Sequence, residues 1–329
     1  MKYDLVTIGD IMKDIFVFPS VSEMEKPLNR HGEKFLVFEH GDKISISDIH
    51  YDIGGTAGNV AIGSSKLGLK TSIISAIGHD SEGEGIIKTL EKARVDTSHL
   101  IIRKDKKTSF SVIISYEGER SILVFHSFHP DELVLTRSIA TDWVFLGPMG
   151  EGYKSFYSRM TALAAEKNIK IAINPGSVQI HDGMLAFGGL LRVAKILFVN
   201  KEEGQKLAGL HGVANVRDIA KVLKKTGVEI IVITDGKEGA YAATATDFIK
   251  IGPYPGHRVE STGAGDAFTS AFMAAYIKGE KLLTCLQYGV TNSASVIEKV
   301  GAQEGLLNLA TIKHRIKEHR WSDSGMKFS

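Results

Sequence analysis

Short apolar runs alternate with amphipathic helical stretches along nearly the whole chain, and this alternation limits the fold more than any single motif does. The runs lie at residues 5–9, 71–77, 143–146, 170–173, 196–199 and 230–234. The helical stretches lie at 59–67, 83–93, 153–167, 201–208 and 216–226, with three more at 265–277, 282–299 and 311–319. A run that is apolar throughout, instead of at every second residue, belongs to a strand covered on both faces. Strands of that kind separated by helices build a parallel sheet with helices on either side. The expected fold class is therefore α/β, a three-layer α/β/α core around a central, mostly parallel sheet. No repeat, low-complexity tract or Pro/Gly/Ser-rich linker divides the 329 residues. One domain spanning 1–329 is expected, a length that suits a large core with a small appendage.

Two regions supply the appendage. Residues 11–18 with 35–53, and residues 108–125, alternate apolar and polar side chains as half-exposed antiparallel strands do. Residues 116–120 (Tyr-Glu-Gly-Glu-Arg) read as a hairpin turn between strands at 109–115 and 121–125. The expected division is a core of about 1–10, 54–107 and 127–329 and a β lid of about 11–53 and 108–126. A flat sheet with one apolar face is also an association surface, so the lid is expected to be shared in a homodimer. The polar tail after Trp321 is expected to fray.

Composition removes several function classes. There are 40 basic residues against 38 acidic ones, a net charge of +2, and no basic block with interleaved aromatics, so nucleic acid is not an expected partner. The run 104–107 is broken by Asp105 and reads as a solvated turn. The single cysteine, Cys285, rules out a disulfide framework or a cysteine metal cluster and reads as a small buried side chain. No apolar run approaches the roughly 18 residues a membrane span needs. Asp4 and Asp10 interrupt any export signal at the N-terminus. The expectation is a cytoplasmic protein with no membrane partner. The twelve histidines are scattered without zinc spacing; His126 and His129, at the end of a lid strand, read as surface residues.

Glycine clusters at element boundaries carry the chemistry. In residues 261–268 (Ser-Thr-Gly-Ala-Gly-Asp-Ala-Phe), Gly263 and Gly265 permit a sharp turn and close ligand approach. The helix that follows offers unpaired N–H groups to an anion. Asp266 falls in its first turn, where it either caps the helix or acts as a base. Gly54, Gly55 and Asn59 stand at another helix entrance, suited to a polyhydroxyl ligand or to a plain N-terminal turn. Asp14 follows the first strand, where ligands of open α/β sheets bind and where a turn residue would also fit. Asn200 and Glu203 follow the 196–199 run; the carboxylate can hold Mg²⁺ through water or simply start a helix. Thr234, Gly236 and Gly239 form a turn after the 230–234 run that would let a nucleotide lie on the backbone. A P-loop is absent, with residues 63–71 a near miss, and so are a dinucleotide fingerprint and a nucleophile elbow.

With these residues in hand, the chain resembles the ribokinase/PfkB family of carbohydrate and nucleoside kinases from Tyr3 to about Ala302. Gly54-Gly55-x-x-x-Asn59 resembles the family's first signature, and residues 259–268 its second. The resemblance implies a ribokinase-like fold with a β lid that often dimerises. It implies substrate-hydroxyl contacts at Asp14, Gly54, Gly55 and Asn59, a catalytic base at Asp266, and an anion hole at Gly263, Ala264 and Gly265. It further implies phosphate and Mg²⁺ contacts at Asn200 and Glu203, ATP contacts at Thr234, Gly236 and Gly239, and a residue near the nucleotide at Asn292. Glu260 stands where many relatives carry an Asp linked to a monovalent cation such as K⁺. The segment around 20–34 is long for a ribokinase.

The function expected is ATP-dependent transfer of the γ-phosphate to a hydroxymethyl group of a small sugar of the ribose or fructose type. An adenosine-type nucleoside is the alternative acceptor, with Phe16, Phe18, Phe110 or Phe125 available to line a base slot. A catalytically silent sugar- or nucleoside-binding regulator and a nucleotide-dependent oxidoreductase are rivals of another class.

Overall fold

A strand apolar at every position needs two partners, one for each face, and the core of the protein supplies both. In the computed structural model, Val6, Ile8, Val144, Leu146, Ile171, Ile173, Leu197 and Val199 point into one hydrophobic cluster. Leu5, Trp143, Phe145, Ala172, Ile196 and Phe198 point into another. Residues of one strand thus alternate between two cores, as the period of two in a strand requires. The first core is closed by helices Tyr153–Lys167, Lys201–Leu207 and Val216–Lys224, and the second by Ala264–Ile277 and Leu282–Val296. The structure describes residues 2–20, 28–30, 33–35, 37, 40–41, 43–116, 119–135, 139–212, 214–321 and 323–327.

The central sheet has nine strands. From one edge inward come Asp323–Lys327, Asp247–Ile251, Ala240–Ala243 and Ile230–Thr234, paired antiparallel. Then follow Ile196–Asn200, Lys170–Ile173, Trp143–Leu146, Leu5–Ile8 and Thr71–Ile74, all parallel. The three-layer core expected from the alternation is therefore present, and it carries an antiparallel wing that the sequence reading lacked. The expected strand at 71–77 is broken at Ser75: Ala76–Gly78 leaves the sheet and pairs with Ile101–Arg103. The tail expected to fray instead forms the edge strand Asp323–Lys327.

A separate four-stranded sheet lies over the carboxyl ends of the central strands, in the order Glu119–Phe125, Phe110–Tyr116, Met12–Pro19, Ile46–Gly54. Its register places Asp14 beside Ser111 and Asp52, Phe16 beside Ile113 and His50, and Ile15 beside Val112 and Tyr51. One face therefore carries Met12, Asp14, Ser111, Ile113, Ile122 and Val124, and all six line a cavity. The other face carries Ile49, Tyr51, Phe110, Leu123 and Phe125, all exposed, with Leu123 at 61%. Residues 117 and 118 of the hairpin turn lie outside the described residues, as does much of 20–34, of which Leu28–Arg30 pairs with Glu33–Phe35. Cys285 is fully buried in the helix Leu282–Val296, and burial pushes its thiol up to about 12.

Candidate active site

The carboxyl ends of five core strands converge on one cavity of about 520 Å³, lined there by Asp10, Pro148, Asn174, Asn200 and Thr234. This is where an open parallel sheet leaves room between its loops. The inner face of the lid forms the opposite wall, and Ser261–Asp266 the end wall. A second groove of about 170 Å³, lined by Thr234, Gly236, Gly239, Tyr254, Ser293 and Ala294, shares Gly265 and Phe268 with the first. Two spaces of different lining thus meet at one helix start.

That start has no side-chain cap. Gly263 takes φ 76°, a left-handed conformation that favours glycine, and a Cβ there would collide with Ala302. The Ala264 N–H is drawn back to the Ser261 carbonyl at 3.3 Å, whereas Gly265 is exposed with open space beside it. Ala264 faces the second groove; Gly263 and Gly265 line the cavity. Asp266, one turn in, accepts from Asn59 Nδ2 at 2.8 Å and from the Thr56 hydroxyl. Burial moves its carboxyl above the ordinary value, and those two donors oppose the shift.

The expected acceptor residues divide into two groups. Asp14 is buried on the lid's inner face, where Ser111 Oγ donates to it at 2.6 Å. Loss of hydration raises its carboxyl from 3.8 to about 6, and the Asp52, Asp266 and Glu260 charges add to that rise. Gly54 does not line the cavity; it lies behind Asp14, and a Cβ would overlap that carboxylate. Gly55 lines the cavity as the N-cap of helix Thr56–Lys66. Asn59 reaches the cavity too, but its amide is engaged by Asp266 and by Gln303, whose Nε2 donates to Asn59 Oδ1 at 3.3 Å. Gln303 thereby fixes which end of the amide meets Asp266.

Asn200 and Glu203 form a reciprocal cap at the start of Lys201–Leu207: Asn200 Oδ1 accepts from Glu203 N, and Glu203 Oε2 from Asn200 N, each at 2.8 Å. Both residues still line the cavity. Burial raises the Glu203 carboxyl, and the nearby Asp266 charge raises it further. With Oε2 held by Asn200 N, Glu203 Oε1 suits Mg²⁺ held mostly by water and phosphate. Among the described residues, no cluster of three or more His, Cys, Asp or Glu forms a protein cage for a metal.

Asn292 departs from expectation. It is fully buried, donating Nδ2 to the Ala267 carbonyl and accepting from Leu307 N, both at 2.9 Å. It braces two helices, and its neighbours Ser293 and Ala294 line the groove instead. Glu260 departs as well. Oε2 accepts from Thr262 N and Oε1 from the Thr262 hydroxyl, each at 2.8 Å, and the Arg120 guanidinium stands 3.7 Å from Oε1. Both oxygens are engaged by the chain's own groups, and the cation beside this carboxylate is the Arg120 guanidinium.

Among the cavity residues that escaped the sequence reading, three bear on the cavity's charge and shape. Arg120, on the lid, donates to Ser261 Oγ across the cavity. His126, read as a surface residue, lines the cavity and holds Asp10 at 3.3 Å from Nδ1 to Oδ2; that carboxylate raises the imidazole above its ordinary value. Ser111 fixes Asp14. The phenylalanines considered for a base slot do not line the cavity. Phe16 is buried against His50, and Phe110 packs against Phe125 on the outer face with ring centroids 5.4 Å apart.

Comparison with known proteins gives this geometry a context. The family model described as "pfkB family carbohydrate kinase" matches residues 18–309. A nucleoside kinase of Methanothermobacter thermautotrophicus is 29% identical over 265 residues, 77% of this chain and 81% of that protein. The solved structure of Methanocaldococcus jannaschii nucleoside kinase superposes with a TM-score of 0.80 at 22% identity, covering 97% of this chain and 99% of that one. Arabidopsis thaliana ribokinase, solved with ribose and ATP, gives 0.77 at 20% identity, covering 97% and 100%.

Proposed function

The chain belongs to the pfkB family of carbohydrate kinases, and from that premise we propose that it transfers the γ-phosphate of ATP to a hydroxymethyl group of a small, uncharged sugar. The enzyme is a phosphotransferase with an alcohol acceptor; the acceptor and the residue roles are the proposal. The observation that carries it is the meeting of two spaces at Gly265, one ringed by carboxylates, the other a groove over glycine turns.

Asp266 takes the proton of the acceptor hydroxyl as its oxygen attacks the γ-phosphorus. Asn59 and Thr56 hold that carboxylate in position, and a pKa raised by burial brings the base nearer the working pH. The backbone at Gly263–Gly265 and the helix dipole stabilise charge gathering on the transferred group. ATP lies in the groove over Thr234, Gly236 and Gly239. Asn200 and Glu203 would hold Mg²⁺ through water, and the ion, when bound, neutralises phosphate charge. Asp14 accepts hydrogen bonds from sugar hydroxyls, and the lid shuts out water.

Asp10, Asp14, Glu203 and Asp266 around one cavity, with Arg120 and His126 already paired to carboxylates, disfavour an acidic or phosphorylated acceptor. The absence of Phe16, Phe18, Phe110 and Phe125 from the wall favours a sugar. A nucleoside is the second reading, favoured by the apolar strip Met12, Ile113, Ile122 and Val124. The outer lid face, with Ile49, Tyr51, Phe110, Leu123 and Phe125 exposed, is the contact of a homodimer.

ADP release from MgATP, measured against pentoses, hexoses, hexose phosphates and nucleosides, tests the acceptor. Highest kcat/KM with a hexose phosphate would refute the uncharged-sugar reading. Asp266→Asn should lower kcat by about 10²–10⁴ with the acceptor KM little changed; near-normal turnover would remove Asp266 as the base.

A further inference from the structure

Glu260 is a buried carboxylate, 5% exposed, immediately before the turn that begins helix Ala264–Ile277. Its two oxygens hold the Thr262 N–H and hydroxyl, so it sets the shape of Ser261–Gly263 from within. The backbone behind it is fixed, because Val259 N and Glu260 N both donate to the Ile297 carbonyl. A buried carboxylate needs a partner charge, and the structure supplies it from the lid. Arg120 sits on the cavity-facing side of Glu119–Phe125, in register with Ser115. Its guanidinium pairs with Glu260 and donates to Ser261 Oγ, to which Arg258 also donates at 3.5 Å.

We propose that Arg120 is a positioning residue that ties closure of the lid to the form of the phosphate-accepting turn through Glu260, in place of a monovalent cation. With the lid closed, the guanidinium balances Glu260, and Thr262 and Gly263 are held as they stand. With the lid lifted, Glu260 loses that charge and the turn loses its brace. The complete site therefore exists only under a closed lid, where water is excluded. A guanidinium suits this role, being permanently charged and weakly hydrated. The inference rests on Gly263–Asp266 being the transfer site.

The test uses the full chain in three forms, Arg120→Met, Glu260→Gln and the two combined, assayed with MgATP and the acceptor of highest kcat/KM. Each single change should lower kcat about tenfold or more with the ATP KM within about twofold, and the combined form should lose no more than the worse single one. Losses that multiply overturn the proposal, since Arg120 would then act on something other than Glu260. Hydrogen–deuterium exchange of the unliganded protein is independent of turnover. Arg120→Met should raise exchange at Thr262 and Gly263 together with residues 119–125, and loosening confined to the lid strand overturns the coupling. Replacing K⁺ by tetramethylammonium at constant ionic strength should change wild-type turnover by less than about twofold; a large K⁺ requirement overturns the substitution of guanidinium for cation. Failure of Asp266→Asn to slow transfer would defeat the parent assignment instead, and the exchange measurement would still decide the coupling.

Discussion

Asp14 shows what a buried carboxylate costs the folded chain. It is buried in the lid, carries one donor in Ser111 and faces Asp52 across the strand pair. Its pKa of about 6 against 3.8 means that the folded state resists its ionisation. The sign follows: below the ordinary carboxylate range Asp14 is neutral in both states and costs nothing, and the penalty grows until pH passes about 6. A shift of this size corresponds to about 3 kcal/mol at most. Asp14→Asn should therefore gain about 2 kcal/mol in urea unfolding at pH 8 relative to its effect at pH 4, while the acceptor KM rises. An effect on stability independent of pH would show that this burial is not destabilising.

At the scale of elements, the helix start at Gly263 depends on a neighbour that never touches the cavity. Asn292 joins Ala267, in the first turns of Ala264–Ile277, to Leu307 on the following segment. Removing its amide strands a buried donor and a buried acceptor. Asn292→Ala should cost about 1–3 kcal/mol in denaturant stability and leave the ATP KM within about twofold if the helix start survives. A rise in KM without loss of stability would restore Asn292 to the nucleotide. Glycine turns and the Asn200–Glu203 pair were legible because their geometry is local: strand end, turn, helix start. Arg120 meets Ser261 across a sequence separation of 141, and Gln303 meets Asn59 across one of 244; only the folded topology brings such pairs together. The antiparallel wing was missed for a different reason. Ala240–Ala243 reads Ala-Tyr-Ala-Ala, with little β-branched character to mark a strand. The tail strand is polar and gains its order from pairing with Asp247–Ile251.

For the whole molecule, the lid sheet presents two faces with different tasks, and a one-residue shift in register would exchange them. The outward face with Leu123, Ile49 and Phe125 should hold two chains together. Leu123→Glu combined with Ile49→Glu should halve the mass seen by light scattering, and a wild-type chain already monomeric at micromolar concentration would dismiss that contact. The interior carries its own reporter of cooperativity. Cys285 is the single thiol, has no exposed surface, and stays protonated far beyond neutral pH. A maleimide can react with it only through an opening that releases the helix Leu282–Val296. The labelling rate therefore counts excursions of the second core, and its slowing under saturating ATP gives, without any turnover assay, the free energy with which the nucleotide clamps that layer of the fold.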